Sequence, residues 1–210
     1  MKTTPLQSKL FLMAGVFFIL LPSVLNLYKG ETGRLIVASG KMNDPNFDQT
    51  AIYMFHHSYD SAYGLVINRP LPQNDLERVP AFLKGKDIPL YFGGPAGYPE
   101  VVVILERGKD KAGHDVLLSH AFDDIVKDDP AILDKIVASI HAGEKRYRVY
   151  LGYAGWGLFQ IEREFGQGVW ASTTLDPDWL GYEELSPREI WLRALHQAND
   201  KRKPRNPGAI

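Results

Sequence analysis

The sequence of 210 residues contains no cysteine. This absence excludes a disulfide framework, a thiolate zinc site, an iron–sulfur centre and a cysteine nucleophile. Charge of one sign is also lacking, because 25 acidic residues oppose 24 basic ones and the net charge is −1. Nucleic-acid binding calls for a basic face or stripe, so we do not expect direct binding to nucleic acid. Regular alternation of strand and helix patterns is missing too, which argues against a doubly wound fold.

One long apolar run is present, from Leu10 to Leu27, and Lys2 and Lys9 precede it. A run of about 18 residues is just long enough to cross a bilayer. No small residues are spaced for signal-peptide cleavage after it, so we expect an uncleaved membrane anchor rather than a cleaved signal peptide. A buried soluble helix is the third option. The flanking charges predict a single-pass protein with its domain outside the cytoplasm, in the periplasm.

The composition divides the chain into five parts. We expect a short basic segment at residues 1–9, an anchor helix at 10–27, a linker at 28–33, one globular domain at 34–197 and a disordered basic tail at 198–210. The membrane is therefore one expected partner, contacted through residues 10–27.

Strand patterns dominate the first half of the domain. Runs rich in β-branched and aromatic residues predict strands at residues 34–39, 51–57, 63–69, 101–105, 115–120 and 147–153. The second and third runs are joined by a short polar loop, which predicts a hairpin. Together these patterns predict an α+β fold with a mixed or mainly antiparallel sheet, open or closed.

Three stretches have helical patterns. Pro130 and Gly143 bracket an amphipathic helix that Asp128 or Asp129 can cap. Ser186 and Glu189 form the pattern of a capping box at the start of the last helix. Residues 74–83 predict a brief helix interrupted by proline.

The segment from residue 151 to 170 concentrates glycine and large aromatic residues. Gly152, Gly155 and Gly157 separate a strand from a short helix, a geometry in which glycine permits positive φ and close backbone approach. An anion could dock on unpaired amides at the helix start, or the corner could be packing geometry alone. Trp156 and Trp170 bracket the corner and either anchor a core, which is favoured, or line a groove.

Five segments of the domain carry a joint pattern: GKMNDPNFDQTAIYMFHHSYDSAYGLVINRPL, YFGGPAGYPEVVVIL, DVLLSH, RVYLGYAGWGLFQIEREFGQGVW and SPREIWLRAL. In this order they resemble the YqgE/AlgH family of bacterial proteins over residues 35–195. The resemblance implies a single α+β domain whose partly rolled sheet is flanked by helices, to which this sequence adds an N-terminal hydrophobic helix. It also implies a cytoplasmic location, in conflict with the charge argument above.

The resemblance implies little about activity, because the family is mainly uncharacterised. One member is named for the regulation of alginate synthesis, but no helix-turn-helix is readable here, so a DNA-binding role is not carried over. Two positions depart from the family pattern. Ala96 follows GGP where valine is usual, and Glu106 or Arg107 stands where a histidine is expected.

Candidate ligand-binding residues come from the family segments and the glycine corner: His57, Asn68, Arg69, Gly93, Gly94, Gly155, Trp156, Gly157, Glu162 and Glu164. No spacing among them is diagnostic, since neither H-E-x-x-H nor G-x-S-x-G occurs. We therefore assign no catalytic residue and expect no metal and no cofactor.

Two functions remain. The first is a membrane-anchored, non-catalytic binding or regulatory module that accepts a small anionic ligand or a protein partner near the glycine corner. The second is a hydrolase or other enzyme that uses His57 with Glu162 or Glu164, and these groups would have to converge in one pocket. Arg69 could hold a phosphate or carboxylate, or brace its loop to one of the two glutamates, which is favoured.

Overall fold

The computed structural model describes residues 30–109, 111–113, 115–175 and 185–202. The expected anchor at residues 10–27 lies outside these ranges. Within them, no helix combines the length and the apolar character that crossing a bilayer requires. The prediction of a single-pass membrane protein is therefore wrong. It was based on the apolar run at residues 10–27, which the described structure does not include.

Nine strands occur in the described residues. Their bounds are β1 Arg34–Ala38, β2 Ala51–His57, β3 Ala62–Val66, β4 Leu90–Phe92, β5 Val102–Lys109, β6 Asp115–Ala121, β7 Tyr147–Leu151, β8 Ala154–Trp156 and β9 Trp170–Thr174. The α-helices are α1 Phe122–Asp128, α2 Ile132–His141, α3 Gln160–Gly166 and α4 Pro187–Arg202. Two short 3₁₀-helices, Gln73–Arg78 and Ala81–Leu83, replace the helix expected at residues 74–83.

The strands form two sheets. One has five strands in the order β8-β3-β2-β1-β9, and the other has four in the order β4-β7-β5-β6. All neighbouring strands are antiparallel except β4 and β7, and the predicted hairpin is formed by β2 and β3. The α+β class, with mainly antiparallel strands flanked by helices, is confirmed. The single sheet that the sequence indicated is divided in two, because the chain leaves one sheet after β7 and joins the other at β8.

Three apolar cores hold these layers together. The central core contains residues of both sheets, such as Leu35 and Tyr53 from one and Leu105 and Tyr150 from the other, so it lies between them. A second core lies on the opposite face of the five-stranded sheet, where Ile36 packs with Trp156, Trp170 and α3. A third joins the four-stranded sheet to α1, α2 and the 3₁₀-helices. Strand β1 is thus buried on both faces, which explains its uninterrupted apolar sequence.

The helix ends follow local chemistry. At α4 the predicted capping box is confirmed, since the Ser186 N–H donates to Glu189 Oε2 over 2.7 Å and the Glu189 N–H donates to Ser186 Oγ over 3.3 Å. The helix continues to Arg202, beyond the expected start of the tail at residue 198, because Ala198 is fully buried. Helix α1 was not expected, since a pattern of seven residues is too short to show a helical period.

Candidate functional site

The glycine corner carries the chain from one sheet to the other. Strand β7 ends at Leu151 in the four-stranded sheet, and β8 begins at Ala154 in the five-stranded sheet. Gly152 makes the turn with φ of +70°, and a Cβ there would lie 2.2 Å from the carbonyl oxygen of Gly94. Only glycine fits this conformation and this contact.

The GGP segment forms the other side of this contact. A Cβ on Gly93 would lie 2.2 Å from the Gly152 carbonyl oxygen, and a Cβ on Gly94 would lie equally close to the Tyr153 backbone. Beside them, Ala96 and Tyr153 exchange two backbone hydrogen bonds of 2.9 and 3.0 Å. These glycines therefore let two backbone segments touch, which supports packing geometry as their role.

Two amides just before α3 already have acceptors within the protein. The Gly157 N–H donates to Gln160 Oε1 over 3.2 Å, and the Phe159 N–H donates to the Tyr59 carbonyl over 3.3 Å. Phe159 adopts φ of +52°, and Gly155 and Gly157 are exposed. Anion binding at this corner stays a prediction, although these two amides are already occupied.

Two tryptophan side chains converge on one carboxylate, an arrangement we call the indole clamp (Trp156, Glu164 and Trp170). Glu164 Oε2 accepts the Nε1–H groups of Trp156 at 3.0 Å and Trp170 at 2.7 Å. Its Oε1 accepts Gln160 Nε2–H at 3.0 Å. The two indoles are 4% and 1% exposed and meet edge to face. The prediction that these tryptophans anchor a core is confirmed.

His57 and Glu162 form a direct pair at the end of β2. His57 Nδ1 accepts the Glu31 N–H over 2.9 Å, so the proton is assigned to Nε2, which donates to Glu162 Oε1 over 2.9 Å. The imidazole is only 3% exposed. Gly30 packs against it so closely that a Cβ would lie 2.4 Å from Nδ1. Residues 30 and 31, in the expected linker, therefore cover the histidine.

Asn68 and Arg69 lie apart from this pair and hold the loop before β2. Asn68 accepts the Ala51 N–H and donates to the carbonyls of Gln49 and Pro187, over distances of 2.8 to 2.9 Å.

Arg69 donates to the carbonyls of Asn46 and Asp48 over 2.8 and 3.1 Å. Burial lowers its pKa, an effect that Asp48 and Asp44 oppose. The bracing role of Arg69 agrees with this geometry, but the expected partners, Glu162 and Glu164, are wrong: the braced segment precedes β2, and this nearer loop supplies the acceptors.

The described domain matches a known protein family over most of its length. A family profile described as AlgH-like matches residues 35–203. The chain belongs to the AlgH-like family.

Relatives extend over most of the AlgH-like domain. A UPF0301 protein of Paracoccus denitrificans is 34% identical over 172 residues, which cover 78% of this chain and 89% of the relative. A UPF0301 protein of Chlorobaculum tepidum is 30% identical over 165 residues, covering 79% of this chain and 85% of the relative.

Two solved structures resemble this one. The solution structure of the AlgH protein from Pseudomonas aeruginosa matches with a TM-score of 0.53 and 27% identity, covering 78% of this chain and 85% of that one. A crystal structure of a Corynebacterium diphtheriae protein matches with a TM-score of 0.56 and 17% identity, covering 87% and 94%, and shows the shared fold alone.

One position of this AlgH-like domain departs from the pattern expected of its family. Glu106 or Arg107, near the end of the apolar part of β5, stands where a histidine was expected. Glu106 Oε1 accepts Arg146 Nη2–H over 2.7 Å, and its Oε2 lies 3.4 Å from His120 Nε2. A family site that required this histidine would therefore lack it in this chain.

Sequence reasoning missed a cleft beside the four-stranded sheet. It has a volume of about 300 Å³ and lies between the loop before β4 and the segment that joins α2 to β7, with Asp87, Tyr91, Glu144, Lys145 and Arg148 among its lining residues. We call it the Arg148 cleft. The only sequence signal for it is YRVY at residues 147–150, in which alternation places Arg148 and Tyr150 on one face of the strand.

In the described residues, Arg148 and the nearby Tyr150 hydroxyl lack internal partners of the kind that polar groups have at the glycine corner. The Arg148 guanidinium lies 4.7 Å from the centre of the Tyr91 ring and forms no ion pair with any described residue. The Tyr150 side chain lies in the central core behind Arg148 and is fully buried, and no described residue accepts its hydroxyl proton. Burial raises the pKa of Tyr150 to about 12, and the charge of Arg148 and a hydrogen bond from its side chain oppose this rise.

Proposed function

We propose that this AlgH-like protein is a non-catalytic binding or regulatory module. The observation that carries the proposal is the closed state of His57, the best candidate base in the family segments. One ring nitrogen accepts a backbone N–H, the other donates to Glu162, and 3% of the residue is exposed. A general base needs a free nitrogen within hydrogen-bond reach of the proton it removes.

Glu164 supports the same conclusion. Its two oxygens accept three hydrogen bonds, from Trp156, Trp170 and Gln160. Hydrogen bonds of this kind fix the position of the carboxylate. The group therefore holds the second core together, and a substrate would have to displace two buried indoles to reach it.

A specific observation favours the second candidate, an enzyme that uses His57 with Glu162. Their atoms are 2.9 Å apart, within the reach that proton transfer requires, and the Glu162 side chain is 30% exposed. In this alternative Glu162 meets the substrate and His57 orients it. Glu162 thus lies within reach of His57, whereas Glu164 is held by the two indoles.

Ester turnover separates the two candidates. Release of nitrophenol from acetate and phosphate esters is measured for the wild type, for Glu162→Gln and for Arg163→Gln, an exposed neighbour on the same helix. We expect no saturable turnover and equal background rates in all three proteins. Saturable turnover that falls about 100-fold or more in Glu162→Gln alone would overturn the proposal, since general acid–base catalysis contributes that much.

A further inference from the structure

We propose that the Arg148 cleft is an anion-binding site, in which the guanidinium of Arg148 anchors the carboxylate or phosphate group of a small molecule. The inference rests on the proposed function, because it gives the binding module a site and a class of ligand. The site lies on the four-stranded sheet, away from the His57–Glu162 pair.

The state of Arg148 is the first argument. Its side chain is half-buried and stacked over Tyr91, yet no described carboxylate lies within ion-pair distance of it. Arg146, two residues earlier and exposed, is paired with Glu106 at 2.7 Å. A partly desolvated cation without a counter-ion is unfavourable, and guanidinium geometry matches carboxylate and phosphate oxygens. The more buried arginine is thus the one left to receive an external anion.

The Tyr150 hydroxyl is an independent second argument. Tyr150 lies two residues after Arg148 on β7, so both side chains project from the same face of the sheet. Its ring is 5.4 Å from that of Tyr91, over which Arg148 is stacked. The hydroxyl is fully buried beside the Arg148 side chain, which can only donate to it, and no described residue accepts its proton, although nearly all buried polar groups in native proteins have partners. An anion oxygen held by Arg148 gives this hydroxyl the acceptor that the protein itself does not supply.

Size and charge define the ligand class. A volume of about 300 Å³ is at the lower end of small-molecule pockets, which excludes a folded partner or a nucleic-acid strand as the occupant. Asp87 and Glu144 also line the cleft, although Glu144 Oε2 accepts the Ser139 hydroxyl over 2.6 Å. These carboxylates disfavour a polyphosphate by repulsion. The cleft therefore suits a compact ligand with a single anionic group.

The test titrates inorganic phosphate and benzoate into the full chain at constant ionic strength. Binding in every variant is followed through the backbone amide signals of the cleft residues in NMR spectra, and in the wild type also through the Nε–H signal of Arg148, assigned by its loss in Arg148→Lys. We expect saturable shifts with at least one anion. Binding to Arg148→Gln should be weaker by about tenfold or more, the loss typical of a charged hydrogen bond. Arg146→Gln removes the same charge from an exposed neighbour and should change binding less than about twofold.

Tyr150→Phe supplies a readout that a purely structural role would not give. Its unfolding midpoint should equal or exceed that of the wild type, because an unpartnered hydroxyl is removed, while anion binding weakens several-fold.

The proposal is overturned if neither anion shifts the Arg148 signal saturably, or if both arginine variants lose binding equally. Neither outcome touches the proposed function, which fails separately if the ester assay shows turnover that depends on Glu162.

Discussion

The glycine corner and the Arg148 cleft both hold polar side chains among aromatic rings, but the internal partners of these side chains differ. At the corner, Glu164 and His57 are surrounded by aromatic rings and backbone, and their polar atoms have internal partners. In the described residues, Arg148 of the cleft has no carboxylate partner, and the hydroxyl of Tyr150 behind it has no acceptor. The difference teaches that residue type alone does not mark a binding site in this domain. A better mark is a buried polar group without an internal partner, because such a group is unfavourable until a ligand supplies the partner.

The comparison also separates two costs. Polar groups at the corner are stabilising because every partner is present, so removing one leaves others unsatisfied. At the cleft, the free-energy cost of polar groups without partners is already present in the ligand-free protein. Mutations at the corner should therefore lower stability, and mutations at the cleft should lower binding.

The largest effect is expected for Gly94→Ala, which breaks the backbone contact at the corner. Gly94 has φ of +149° and a Cβ there would lie 2.2 Å from the Tyr153 carbonyl carbon, so we expect a loss of about 3–5 kcal/mol in the free energy of unfolding. Urea denaturation measures it. Gly157→Ala is the control, since an added Cβ there would meet no described residue within 4 Å apart from its chain neighbours. Equal losses in the two variants would refute the packing role of the GGP segment.

Glu164→Ala should follow, with a loss of about 2–4 kcal/mol. It leaves the indole N–H groups of Trp156 and Trp170 buried without their carboxylate acceptor, at about 1–3 kcal/mol for each group. Chemical denaturation followed by tryptophan fluorescence gives both the stability and the state of the indoles. Arg163→Ala, on the exposed side of α3, should stay within about 0.5 kcal/mol. A stable Glu164→Ala protein would show that the clamp is not structural.

Alkaline pH should act next, through Tyr150, the buried tyrosine behind the cleft. The pKa of Tyr150 is raised to about 12 in the folded protein, while an exposed tyrosine titrates near 10. A raised folded pKa contributes stability that is complete below pH 10 and is lost between about pH 10 and 12. We expect about 2 kcal/mol of loss over this window.

Tyr98, whose pKa burial and Asp75 also raise to about 12, adds a second contribution to the same loss. Unfolding measured at several pH values should therefore give a smaller slope, not a zero slope, for Tyr150→Phe. An unchanged slope in that variant would contradict the burial of this hydroxyl.

The smallest effect on the free energy of unfolding is expected at neutral pH, when the hydroxyl is removed from either of two tyrosines of the central core. The Tyr53 hydroxyl donates to the Leu117 carbonyl over 2.8 Å, whereas the Tyr150 hydroxyl has no acceptor among the residues that the structure describes. Tyr53→Phe should lower the free energy of unfolding by about 1 kcal/mol, and Tyr150→Phe should leave it unchanged or raise it. Thermal unfolding of both variants tests this. A larger loss in Tyr150→Phe would reverse the comparison on which the cleft proposal depends.

Much of the fold was predictable because its signals are local. The hairpin of β2 and β3, the capping box at Ser186 and Glu189, and the glycines of the corner all depend on residues a few positions apart. The candidate site was predictable only in part. The proximity of His57 to Glu162 was proposed from the family segments, but its closure by Gly30 and Glu31 was not, because that segment was read as a linker.

By itself the sequence determined the α+β class, the family, the start of the last helix and the need for glycine where the backbone turns. These follow from periodicity, capping chemistry and allowed φ, which act over short distances. Only the tertiary structure decided that β7 and β8 belong to different sheets, that Asn68 joins segments 17 to 119 residues away, and that no described carboxylate pairs with Arg148. Partners distant in sequence are brought together by burial of the shared cores, and no local pattern states which polar groups that burial will satisfy.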